Sequence, residues 1–131
     1  MGNNRLEKAT SRGLKSLQNQ VTEAALEVQK NIGPGFSPHD YCQALAYEFQ
    51  LRDIPFEREK NVKLSYKGNV AGHYKLDFVV RERMILTILS VDEISDSDKS
   101  KMRNFLRALN IKLGMMLNFS RGKVEIKAVY N

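Results

Sequence analysis

The sequence predicts an α/β fold in which a central β-sheet carries helices on its faces, and three observations lead there. Apolar residues recur at three- and four-residue spacing in the N-terminal third and again near residue 105. Two runs, Met84 to Leu89 and Leu113 to Leu117, are apolar almost throughout. Alternating segments flank the turn residues Lys67-Gly68-Asn69. Helical, buried-strand and hairpin patterns in one chain of 131 residues predict a single layered domain spanning residues 1–131.

The elements follow in order. Leu14, Leu17, Val21, Ala24, Ala25, Val28 and Ile32 form one helical stripe, which stops at Gly33-Pro34-Gly35 because proline cannot continue a helix. Residues 1–19 either fray or extend this first helix. Ser37 as N-cap, Pro38 in the first turn and Asp40 as capping-box partner start a second helix running to about Arg52. Its expected buried stripe is Tyr41, Ala44, Leu45 and Phe49, which puts Glu48 in the middle of the stripe, where a carboxylate needs a partner.

Val62, Leu64 and Tyr66 alternate with polar residues before the turn, and Tyr74, Leu76, Phe78 and Val80 after it, the pattern of a hairpin. Arg81-Glu82-Arg83 then turns the chain into Met84 to Leu89, which reads as a strand covered on both faces. Ser95 to Asp98 caps a third helix reaching about Asn110, with Met102, Phe105, Leu106 and Leu109 inward. Leu113 to Phe119 is a second buried strand. Val124, Ile126 and Ala128 alternate in a short terminal one.

Neither apolar run approaches the ~20 residues of a membrane-spanning helix. The polar start does not read as a secretory signal, and Leu6 stands where a myristoylation motif needs Ser or Thr. With a single cysteine, a reducing cytoplasm is the expected compartment. The net charge of +6 favours an anionic partner. From Lys99 to Lys127 there are eight basic residues against one acid, Glu125. Lys99, Arg103, Arg107 and Asn110 fall on one stripe of the third helix, as a backbone-tracking surface requires, and Lys101 adds to its charge. The bland alternative is a solvated flank whose stems cover the core edge.

Other chemistry is thin. His39 and Cys42, three apart, lack the second pair a zinc site needs. Gly33-Pro34-Gly35 is not followed by the Gly-Lys-Ser/Thr of a phosphate loop.

Ala25-Leu26-Glu27-Val28-Gln29-Lys30 leading into Gly33-Pro34-Gly35-Phe36, Tyr41 with Ala44-Leu45 and Glu48, Tyr66-Lys67-Gly68, Gly72 with Tyr74-Lys75-Leu76-Asp77, and Leu113-Gly114 with Leu117-Asn118-Phe119 occur in a characteristic order. In these the chain resembles the GxxExxY proteins of the PD-(D/E)XK nuclease-like superfamily, from about Gln20 to Asn131. The resemblance implies a restriction-endonuclease-like core with a central mixed sheet. It also implies a metal-binding aspartate at Asp77 and a possible further acid at Glu48.

The departures fall on the chemistry. Pro38 replaces the glutamate between Gly35 and Tyr41, Thr87-Ile88-Leu89 replaces Glu-x-Lys, and Lys101 replaces a helical glutamine. Two carboxylates and a lysine can hold a magnesium ion and activate water, whereas one carboxylate beside a hydroxyl and an isobutyl group does neither well. Glu125-Ile126-Lys127 is a literal Glu-x-Lys, but it comes after the last helix and reads as the solvent face of a terminal strand.

The expectation is therefore a degenerate nuclease-fold domain, with no confident catalytic or metal residue and no cofactor, that binds nucleic acid or a protein partner and does not enter a membrane. The alternatives are a residual magnesium-dependent endonuclease using Asp77, and a homo-oligomeric interaction protein.

Overall fold

The computed structural model describes residues 2–120 and 122–131, with side chains from Arg12 onward. Eight elements follow one another: α1 (Gly2–Ile32), α2 (Pro38–Leu51), β1 (Phe56–Tyr66), β2 (Asn69–Val80), β3 (Met84–Leu89), α3 (Asp96–Leu109), β4 (Leu113–Asn118) and β5 (Glu125–Tyr130). The five strands form one sheet in chain order. β1, β2 and β3 make an antiparallel meander, β3 and β4 are parallel, and β5 returns antiparallel to β4. A parallel pair cannot be closed by a tight turn, so α3 is the crossover that makes the sheet mixed. Among the described residues no helix is long and apolar enough to cross a membrane.

Each face of the sheet carries its own core. Met84, Leu86 and Ile88 of β3 join Leu113, Met115 and Leu117 of β4 beneath α1 and α2. Ile85 and Met116 point the other way and meet Met102 and Leu106 of α3. That two-sided cover is why these strands read as continuous apolar runs. α3 sits so close to β4 that a Cβ on Gly114 would lie 2.5 Å from the Met102 sulfur.

The helix starts follow their local chemistry. Ser37 and Ser95 both close full capping boxes, with Asp40 and Asp98 respectively. Tyr41 fixes the turn between α1 and α2: its hydroxyl donates to the Gly33 carbonyl at 2.6 Å, and its ring stacks on Phe119 with centroids 4.3 Å apart.

Four expectations need correction. The buried stripe of α2 is Tyr41, Cys42, Leu45, Ala46 and Phe49, so Ala44 and Glu48 lie on its flank. β1 and β2 are much longer than the alternating segments, and Leu64 and Tyr66, two of the three apolar positions in the first of them, are exposed. In β5 Val129 is the buried residue and Ala128 is exposed. Asn110 is the left-handed C-cap of α3 (φ 54°), so it terminates the basic stripe. Arg121, one of the eight basic residues counted above, lies outside the described residues.

Candidate functional site

The β2–β3 ladder pairs Phe78 with Leu86, Val79 with Ile85 and Val80 with Met84. Beyond those pairs the strands part, β2 continuing along β1 and β3 along β4 as far as Leu89 opposite Asn118. The parting coincides with an inversion of the ribbon. Leu76 belongs to the core under α3, yet Phe78, two residues on, belongs to the core under α1 and α2. Regular alternation would put both on one face. Opposite them Glu59 has φ of 53°, a left-handed residue in mid-strand that lets the ribbon turn over.

Asp77 stands at this point. Its carboxylate accepts the Ile88 N–H at 2.8 Å, a side-chain link across a gap where no ladder bond forms. Burial pushes its pKa up, against the opposing pull of the Ile88 N–H and the Arg58 guanidinium. Arg58 reaches in from β1. It donates to Gln43 of α2 at 2.6 Å and lies 5.4 Å from the centre of the Phe78 ring, and its buried Nε has no hydrogen-bond partner. Cys42 also borders the notch. Burial first, and then the Asp77 charge, push its thiol up to about 12, so it is a protonated core residue at neutral pH and not a nucleophile. His39 is exposed, and no zinc pair forms with Cys42.

Of the residues singled out from sequence, Asp77 is joined to β3 by its bond to the Ile88 N–H, which lies between Thr87 and Leu89 along the strand, and Glu48 is left out. Glu48 accepts from Arg52 at 2.6 Å, and Arg52 also lies 3.8 Å from Glu23 of α1. Its partner is thus a guanidinium in the seam between the two helices. Thr87 and Leu89 flank the Ile88 N–H, both half-buried, and Leu89 packs against the core under α3. No carboxylate comes from the start of α2 either, since Pro38 occupies its first turn and Asp40 is engaged by Ser37. Glu125 and Lys127 lie on β5, separated from β3 by the whole of β4, and Glu125 accepts from Asn118 at 3.3 Å.

These residues do not fit a magnesium site. The ion needs a shell of oxygen ligands, usually with one or two carboxylates. The half-buried carboxylate at the notch is that of Asp77, already engaged by a backbone N–H, and the other acid whose charge reaches Cys42, Glu59, is exposed. Among the described residues no group of three or more His, Cys, Asp and Glu is placed to hold a metal ion.

The basic residues of α3 divide between two flanks. At 100° per residue Lys99, Arg103 and Arg107 follow one another along one side of the buried Met102 and Leu106, and Lys101 falls on the other. Lys101 stands 5.6 Å from the centre of the Tyr74 ring, whose neighbour is Phe105 at 5.4 Å. Lys99 pairs with Asp96 at 3.8 Å, and Arg107 donates to Asn104.

Three residues matter here in ways that no sequence pattern marks. Arg58 is hidden in a charged segment whose period-two burial begins at Phe56. Tyr74, an apolar position of the hairpin alternation, carries an exposed ring. Asn118, nearly fully buried, pins the loop after β3 by accepting from Val91 N–H at 3.0 Å and donating to its carbonyl at 2.8 Å.

A three-stranded meander, a crossover helix and a parallel fourth strand, with an acid where the second and third strands part, define a nuclease-type α/β domain. The chain belongs to the PD-(D/E)XK nuclease superfamily, whose family model matches residues 15–129. No curated protein and no solved structure matches it.

Proposed function

We propose that this chain is a GxxExxY-type domain of the superfamily that has given up hydrolysis and binds nucleic acid through phosphate contacts made by its basic surface. The observation that carries the reading is the state of Asp77. Its carboxylate serves as the strand-to-strand link to Ile88, and the strand positions on either side of Ile88 carry Thr87 and Leu89 in place of a second acid and a lysine. An excess of six positive charges and the row of half-buried Lys99 with exposed Arg103 and Arg107 support a polyanionic partner.

Purified protein incubated with magnesium or manganese is expected to leave DNA and RNA uncut and to bind them with an affinity that falls steeply with salt. Each lysine or arginine that contacts a phosphate contributes about 0.7 to 0.9 to the salt slope, so replacing Lys99, Arg103 and Arg107 by alanine lowers it by about two to three. Cleavage that disappears in Asp77→Ala would overturn the non-hydrolytic reading. A triple variant that binds like the parent at every salt concentration would reduce the row to a solvated flank.

A protein partner or homodimer is the second reading, favoured by Tyr47 and Leu51, one turn apart on α2 and both strongly exposed. Light scattering over a concentration series separates the two. A monomer throughout, together with salt-sensitive nucleic-acid binding, rejects self-association.

A further inference from the structure

Past the point where β3 leaves it, the β1–β2 ribbon continues as a two-stranded arm whose two faces differ in chemistry. Val62 lies opposite Tyr74 and Leu64 opposite Gly72, so these residues share the face that looks toward α3. Alternation along β1 adds Tyr66 to the same face. The register slips by one residue between Leu64 and Ser65 with the extra residue on β2, which leaves the alternation of β1 intact. The other face presents Lys63 opposite His73, and Lys75. From Asn61 to Leu76 the chain contains no carboxylate.

The aromatic face is open to solvent. Tyr66 is 65% exposed and Tyr74 37%. Each ring has a lysine ammonium over it, Lys67 at 5.4 Å from the Tyr66 centroid and Lys101 at 5.6 Å from that of Tyr74. Exposed cation–π contacts are worth about 0.5 to 1 kcal/mol, and a base stacked on an aromatic side chain about 1 to 3. A base can therefore displace the flexible ammonium, which remains close enough to take the adjoining phosphate. The position opposite Tyr74 and Tyr66 are four residues apart on β1, about 13 Å along the strand, so the rings would hold two different bases of one strand. Between the arm and the C-terminal half of α3 runs an open groove of about 580 Å³, lined in part by Val62, Ala108 and Leu109.

We propose that the arm is a stacking platform for single-stranded nucleic acid, with bases on Tyr66 and Tyr74 and phosphates on Lys67 and Lys101. A paired duplex hides its base faces and cannot use exposed rings in this way. The proposal rests on the nucleic-acid reading above but invokes different residues, so the two can fail separately.

The test uses the full chain and a labelled oligothymidylate of about 20 nucleotides, beside a duplex of the same length. Tyr66→Ala is expected to weaken single-strand binding by roughly 5- to 150-fold, the equivalent of one lost base stack, and to leave the salt slope unchanged because no charge is removed. Tyr66→Phe should keep the affinity, since the ring does the stacking. The chain has no tryptophan, so quenching of its tyrosine emission on binding reports the contact directly and should shrink in Tyr66→Ala. Because Tyr66 is largely exposed, this variant folds as the parent does. The proposal is overturned if Tyr66→Ala binds oligothymidylate as tightly as the parent, or if the duplex binds more tightly than the single strand. Loss of binding in the Lys99, Arg103 and Arg107 variant with none in Tyr66→Ala would overturn the platform alone. An absence of salt-sensitive binding to either probe would overturn both readings.

Discussion

On one side of Asp77, β2 is walled in. Phe78, Val79 and Val80 are buried, β3 is hydrogen-bonded alongside, and helices cover both faces. On the other side, Asn69 to Lys75 lie exposed apart from the half-buried Gly72, with β1 as neighbour and α3 touching the near end. Both halves have their ladder to β1, but only the inner half has a second one, to β3. The apolar area removed from water, about 25 cal/mol per Å², adds to that difference, concentrating stability in the inner half and leaving rings and charges exposed on the outer one. At the boundary itself the Asp77 carboxylate, accepting from the Ile88 N–H, ties β2 to β3.

The widest separation is expected between two aromatic residues of this ribbon. Phe78 is fully buried against Phe49 and Phe56, and its replacement by alanine should cost about 3 to 5 kcal/mol, measured as a lower urea midpoint. Tyr66→Ala should stay within about 0.5 kcal/mol of the parent. Similar losses at the two positions would mean that the arm is part of the core after all, and the division at Asp77 would dissolve.

A smaller effect sharpens the same boundary at the far end of β3. Asn118→Ala removes both partners of Val91 and is expected to cost about 1 to 3 kcal/mol. Asn118→Asp should do no better. It loses the donor to the Val91 carbonyl and sets a second carboxylate beside Glu125. Faster amide exchange at Val91 in both variants, with the ribbon unaffected, is the expected signature; exchange unchanged at Val91 would show that the loop is held by something else.

Much of the fold was legible because pattern and burial coincide in it. Both capping boxes, the two doubly covered strands and the stop at Gly33-Pro34-Gly35 are local signals that the tertiary structure leaves intact. Where the reading went astray, tertiary placement decided. Leu64 and Tyr66 alternate as a half-buried strand should, but they sit where no layer covers them. Glu48 falls within helical reach of the apolar stripe, yet α1 approaches α2 from a direction that makes Cys42 and Ala46 inward and leaves Glu48 to Arg52. The link from Asp77 to Ile88 and the inversion at Glu59 depend on two strands separating, an event that no period in the sequence encodes.

Asp77 offers the subtlest test, because a remnant metal ligand and a strand link respond differently to losing the charge. As a link it needs only an oxygen for the Ile88 N–H. Asp77→Ala should cost about 1 to 2 kcal/mol for the orphaned donor, while Asp77→Asn keeps an acceptor and should not destabilise at neutral pH. The pH dependence follows from the direction of the shift. The folded-state pKa is raised above the ordinary 3.8, so the protonated form is the one the fold prefers. Its contribution to stability is fully present below 3.8 and is lost as pH rises through the folded value, because the unfolded chain ionises first. The neutral amide escapes that loss. Unfolding free energies of the two proteins, compared from about pH 3 to about pH 7, should thus diverge in favour of Asp77→Asn as pH rises and level off once the parent carboxylate is ionised in both states. A parent that instead gains on the amide variant with rising pH would have a site that stabilises the carboxylate, as a cation-ready notch would, and the description of Asp77 as a structural link would have to be abandoned.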